Sequence, residues 1–241
     1  MSQGGNISTS SPSVTSSNKL ITLTDDFFDA GNYIALAPTS IGQLNWDIQG
    51  TQGMVPIAGT ATHPGLVQVT NNVVSFLALT DDSNAYGALI LGGGIVTFNF
   101  VLSLVTLSAI ANRYTIYVGL GNPILGGSPT GAAPTNGVFF SYIDNANSGN
   151  WLTNCTSSSS NSHSDSGVAA ITGFVNLGFQ VNAAASSVQF MIDGSPVGTP
   201  ITTNIPSTAI FPFIMLHRSS GALPAALIDY FQMTINLTTA R

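Results

Sequence analysis

The chain contains no glutamate. Its acids are ten aspartates, and its bases are Lys19, Arg113, Arg218 and Arg241. Charged residues make up 6% of the sequence, against roughly 25% in ordinary soluble domains. Without Glu, and with a single Lys, the best exposed helix formers are missing, while Thr, Ser, Asn, Val and Phe are plentiful. Long solvated helices are excluded on that ground. A net charge of −6 with no basic cluster lacks the electrostatic footprint of a nucleic-acid binder. Cysteine is nearly absent too. Cys155 stands alone, so no intramolecular disulfide can form. The first eighteen residues, MSQGGNISTSSPSVTSSN, carry neither the basic n-region nor the apolar h-region of a secretory signal. No internal repeat of 20–50 residues is present.

What remains is apolar, and it alternates. Hydrophobic residues are 44% of the chain, enough for the core of one large all-β domain. From Phe174 to Gly194, Val175, Leu177, Phe179 and Val181 alternate with Asn176, Gly178, Gln180 and Asn182. After the tip Ala183–Ser187 the pattern resumes with Val188, Phe190 and Ile192, and Asp193-Gly194 supplies a tight turn. Such spacing predicts an antiparallel hairpin with one buried face.

Other segments read the same way. Strands are expected at Leu20–Thr24, Leu66–Thr70, Val73–Leu79, Tyr114–Leu120, Gly137–Ile143, Ile210–Leu216 and Leu227–Leu237, with Trp46 at least partly buried. Ile210–Leu216 is apolar on both faces and must be covered on both sides. The uncharged run Ala88–Ile110 is long enough for a membrane helix, but Gly92–Gly94 interrupts it. Val96, Phe98, Phe100, Leu102 and Leu104 then alternate within it at period two, so it reads as a strand. Gly121–Asn136 and Cys155–Gly167 read as long loops. About a dozen strands without a convincing helix predict an all-β fold of two stacked antiparallel sheets. Residues 1–18 hold almost nothing to bury and are expected to form a flexible arm ahead of a sandwich domain, 19–241.

Three motifs carry a resemblance: GVFFSYIDNANSGNW, LGFQVNAAASSVQFMIDGSPVG and IDYFQMTI. With DDFFDAGNY and GQLNWDIQG nearer the start, they resemble the concanavalin A-like (laminin G-like) jelly roll, in the form found in tailed-bacteriophage virion proteins. The resemblance spans roughly residues 20–237 and rests on turn and core positions. It implies a surface-exposed, non-enzymatic, homo-oligomeric virion protein. Capsid decoration is the first expectation, with residues 1–18 contacting other capsid or tail proteins. A tail-fibre or head-fibre adhesin for host glycans, and a jelly-roll glycoside hydrolase, are the alternatives it leaves open.

Candidate chemistry is sparse. Glycosidases place two carboxylates across a bond, whereas Asp25/Asp26 and Asp81/Asp82 are adjacent and would point to opposite faces of a strand. Ser162, His163 and Asp165 lie in a serine-rich run, where their proximity reads as coincidence. Asp144, Asn145, Asn147 and Asn150 bunch in one turn and are the best candidates for calcium, but they lack EF-hand spacing and suit an ordinary turn. His63, His163 and His217 share no zinc spacing. Tyr86, Trp151, Asn136 and Asn150 could contact sugar, though core and turn roles explain them equally well. Asn6, Asn154 and Asn236 match the glycosylation sequon. No residue is assigned to catalysis, to a metal or to a cofactor.

Overall fold

The computed structural model describes residues 15–16, 18–27, 40–50, 54–69, 74–79, 88–122, 131–221 and 226–240. Over these residues the first strands are β1 (Thr15–Ser16), β2 (Leu20–Asp25), β3 (Ser40–Ile41), β4 (Trp46–Gly50), β5 (Met54–Ala58), β6 (Gly65–Val69) and β7 (Val74–Ala78). The long middle strands are β8 (Gly94–Leu104), β9 (Tyr114–Gly121), β10 (Gly137–Tyr142), β11 (Asn150–Ser157) and β12 (Ser160–Ala169). The chain closes with β13 (Gly173–Val181), β14 (Val188–Ile192), β15 (Ser195–Ile201), β16 (Phe211–Arg218) and β17 (Ala226–Leu237). Among the described residues the single helical turn is 3-10, at Asn147–Gly149.

Two antiparallel sheets result. One runs β1-β2-β17-β8-β13-β14-β15, with β6 beside β17 and β5 beside β6; the other runs β12-β11-β10-β9-β16-β7-β4-β3. This is the expected all-β sandwich. The uncharged run is strand β8, whose Val96, Phe98, Phe100, Leu102 and Leu104 are buried between the sheets. No helix among the described residues is long and apolar enough to cross a membrane. Aromatic rings tie the sheets together. Phe140 of β10 meets Phe190 of β14 edge-on at 5.1 Å, and Trp46 of β4 meets Phe231 of β17 edge-on at 4.8 Å. Fully burying one such side chain contributes about 1.5–3 kcal/mol.

The β13–β14 hairpin has the expected register, pairing Val181 with Val188 and Phe179 with Phe190. Its tip is closed by Asn182, whose Oδ1 accepts from the backbone N–H groups of Ser186 and Ser187 at 2.8 and 3.2 Å. Asp193 (φ 50°) and Gly194 (φ 76°) make the next turn, both in the left-handed region that suits a two-residue hairpin loop.

The polar run Cys155–Gly167 is not a loop, contrary to the sequence reading. It supplies the end of β11 and most of β12, joined at Ser158 (φ 48°) and Ser159 (φ 68°). Two non-glycine residues at positive φ are costly, and the β9–β10 connection offsets that cost. Ser158 N–H donates to Asn136 Oδ1, and Ser159 N–H to the Thr135 carbonyl, both at 2.8 Å. A second departure is at the start of the chain, where Thr15–Ser16, inside the expected arm, pair with Thr22 and Ile21 of β2. Residues 1–14 and 17 lie outside the described residues.

The outer faces of the two sheets differ. On the eight-stranded sheet, Val74, Phe76, Ala78, Phe139, Phe211, Phe213 and Met215 form a buried cluster, so β16 is covered on both sides as its composition requires. On the nine-stranded sheet the outward side chains mix polar residues such as Thr97, Asn99, Gln180 and Gln232 with a few apolar ones, Val101, Phe174 and Met191, and most are half-buried or exposed.

Candidate binding face

Backbone register arranges the outer face of the nine-stranded sheet into rows. On β8 the inward residues take the even positions, so Thr97, Asn99, Val101 and Ser103 face outward. One row crosses the sheet through Thr24, Gln232, Asn99, Gly178 and Met191. The row beside it runs through Thr22, Thr234, Thr97, Gln180 and Gln189. Apart from Met191 and the bare Gly178, every side chain in these two rows is an amide or a hydroxyl.

The rows are partly knitted together. Gln180 Nε2 donates to Thr97 Oγ1 at 3.4 Å. Gln189 Nε2 donates to the carbonyls of Phe190 and Val197, fastening β14 to β15. Gly178 leaves a gap that the Asn99 amide fills, since a Cβ there would stand 2.8 Å from Asn99 Oδ1.

A third row holds Tyr230, Val101 and Asn176. Burial pushes the Tyr230 phenol up, the charge of Asp26 adds to this, and the Gln232 side chain hydrogen-bonds it. Asn176 Oδ1 is buried and has no hydrogen-bond partner. Such an atom costs free energy unless something donates to it. Asp193 closes this row, its Oδ1 accepting from Asn176 N–H at 2.8 Å. At the far end of the face the His63 ring stacks on Phe174 with centroids 3.7 Å apart. His63 Nδ1 lies 2.7 Å from Asp229 Oδ2, and Asp229 sits in a bulge of β17. That contact fastens the β5–β6 turn to the sheet.

The residues singled out from sequence are placed elsewhere or tied into structure. Asp25 is buried at the end of β2. Its Oδ1 accepts from Phe27 N–H, and its Oδ2 accepts from Leu44 N–H and from Trp46 Nε1–H at 3.0 Å. Burial still holds its pKa above the ordinary carboxylate value. Gly42 (φ 77°) is needed beside it, because a Cβ there would lie 2.5 Å from Asp25 Oδ2. Asp26 instead bonds the Gln43 side chain. Asp81, Asp82, Tyr86 and Asn6 lie outside the described residues.

In the turn considered for calcium, both Asp144 oxygens are engaged by Arg113, through Nε at 3.0 Å and Nη2 at 3.1 Å. Ser108 Oγ adds a third bond at 2.8 Å, and the Arg113 guanidinium holds the Asp144 carboxyl below its ordinary range. Asn147 Nδ2 donates to the Trp151 carbonyl, Asn150 Nδ2 donates to Asp165, and Asn145 is exposed.

Ser162, His163 and Asp165 do not converge. Ser162 Oγ pairs with Thr203 Oγ1 at 2.6 Å and accepts from Asn204 Nδ2, His163 is exposed opposite Asn154, and Asp165 accepts from Gly167 N–H. Among the described residues no three His, Cys or Asp side chains gather as a metal site. Cys155 is core, and burial pushes its thiol up to about 12. Trp151 is buried against Phe140 and Tyr142, and Asn136 holds the Ser158 turn. Asn154, one of the sequon asparagines, is 2% exposed, and its amide donates to Phe139, Ser141 and Leu152. Asn236 is exposed.

The amide and hydroxyl rows were legible as alternation but not as a site, because each partner comes from a distant strand. No protein-family model matches the chain, and no curated protein matches it. Solved structures do. A protein of unknown function from Shewanella oneidensis aligns over 95% of this chain and 92% of its own, at 10% identity and a TM-score of 0.62. Peanut lectin aligns over 92% and 100%, at 16% identity and a TM-score of 0.53. The Emp47p carbohydrate recognition domain aligns over 93% and 100%, at 11% identity and a TM-score of 0.53. These likenesses establish the fold: the chain is a concanavalin A-like jelly-roll sandwich.

Proposed function

We propose that the protein is a non-catalytic, glycan-binding jelly roll of a tailed-phage virion, and that the outer face of its nine-stranded sheet is the binding surface. The observation that carries this is the pair of uncharged rows beside the unpartnered Asn176 Oδ1. A sugar offers closely spaced hydroxyls that donate and accept, and side-chain amides present both functions on one planar group. Uncharged polar groups also cost less to desolvate than ions. The names of peanut lectin and the Emp47p carbohydrate recognition domain add support from the fold. Each described acid near the face has a structural partner: Asp26 with Gln43, Asp193 with Asn176, and Asp229 with His63. That supports binding over hydrolysis.

The test is an array of immobilised glycans probed with the purified chain. Binding should fall about tenfold in an Asn99→Ala, Gln232→Ala double variant, since each lost hydrogen bond is worth about 0.5–1.5 kcal/mol. Retention of no glycan, or release of reducing ends from a retained one, would contradict the reading.

Capsid decoration through residues 1–18 is a second reading, favoured by the pairing of Thr15–Ser16 with β2. A segment that adds to its own sheet edge can add to a neighbour's by the same backbone bonds.

A further inference from the structure

The charges around the face narrow the class of glycan. Its two central rows hold no ionisable group. The adjoining row, Tyr230–Val101–Asn176, has an acid at each end. Asp26 follows β2 opposite Tyr230, continuing the register that pairs Asp25 with Phe231. Asp193 closes the other end on Asn176.

Among the described residues the lysine and the arginines lie elsewhere. Arg113 is committed to Asp144 in the corner between β8 and β9. Arg218 ends β16 in the other sheet. Lys19 precedes β2, with its Nζ 3.5 Å from the Thr238 carbonyl.

An anionic sugar laid on the rows would lose hydration without gaining a guanidinium or ammonium partner, the usual compensation for such a group. It would also lie between two carboxylates. A neutral sugar meets neither penalty.

We infer that the face selects neutral glycans and excludes uronate- or sulfate-bearing ones, with Asp26 and Asp193 as the excluding groups. This rests on the glycan-binding reading above. Asn at either position keeps the local structure: Oδ1 still accepts from Gln43 or from Asn176 N–H, and Asn-Gly suits the turn after β14.

The experiment is biolayer interferometry of the full chain on immobilised dextran, laminarin, alginate and heparin, at 20 mM and 300 mM NaCl as about a fourfold change in screening length. A neutral polymer should be held at both salts. The acidic polymers should bind at least tenfold more weakly at low salt. That gap should narrow at high salt and in the Asp26→Asn, Asp193→Asn double variant, whose melting temperature serves as the folding control. Acidic polymers bound as tightly as neutral ones at low salt would overturn the selectivity, as would a gap that neither salt nor the variant moves. Binding of neither class would instead remove the glycan-binding reading itself, and the selectivity with it.

Discussion

Asp25 shows how one residue can join two sheets. It ends β2 in the nine-stranded sheet, yet its carboxylate takes hydrogen bonds from Leu44 and Trp46 at the entry to β4 in the other. Replacing it by Asn sets an amide NH2 against an N–H donor, so Asp25→Asn should cost about 1–3 kcal/mol by denaturant unfolding. The linkage sign is opposite to that of an exposed paired acid. Because burial raises its folded pKa, its contribution is present below 3.8 and is lost as pH rises through the folded value. Asp144, held low by Arg113, contributes above 3.8 and loses that contribution as pH falls through its own depressed value. The melting temperature of Asp144→Asn should therefore fall less than that of the parent between pH 4.5 and 2.5, a window chosen to span the ordinary carboxylate range. Core positions on the hairpin were legible from alternation, and Phe190→Ala should cost about 3–5 kcal/mol. Gln189 was legible only as an outward residue. With its bonds to the Phe190 and Val197 carbonyls, Gln189→Ala should cost about 0.5–1.5 kcal/mol.

At the scale of the element, legibility followed the amount of apolar alternation. Strands β8, β13, β14, β16 and β17 each bury a full face and announce themselves. Strand β12, by contrast, is an edge strand in which seven of the ten residues are Ser, Asn, His or Asp. Edge strands need no apolar face, and its turn uses Ser-Ser where Asn-Gly would have marked it. The bonds from Thr135 and Asn136 that hold this turn come from a loop distant in sequence, which no local pattern reveals. Substituting Ser158-Ser159 by Asn-Gly should stabilise the fold by about 1 kcal/mol or slightly more, visible as a rise of about 2–4 °C in melting temperature for a domain of this size. No rise would mean that the long-range bonds already remove the strain. Cys155, carried inward by β11, should resist maleimide in the native state and react only after unfolding.

For the whole molecule, the fold was legible and the candidate binding face was not. Alternation states that one side of a strand is polar, but the rows exist only once β2, β17, β8 and β13 are set side by side in register. The N-terminal stretch bears on how the sandwich is used. Among the described residues, deleting 1–18 removes the two-residue pairing with β2, so the melting temperature should stay within about 2 °C. On the capsid-decoration reading, the same deletion should abolish incorporation into particles, and full occupancy by the truncated chain would contradict it.

The claim that organises these expectations is that the outer face of the nine-stranded sheet meets the ligand. It is tested most directly by NMR titration of the labelled chain with a neutral oligosaccharide taken from the array. Shifts should concentrate at Asn99, Asn176, Gly178 and Gln232, including the side-chain amides. Shifts confined to the other sheet, or to the loops at either end of the sandwich, would contradict it.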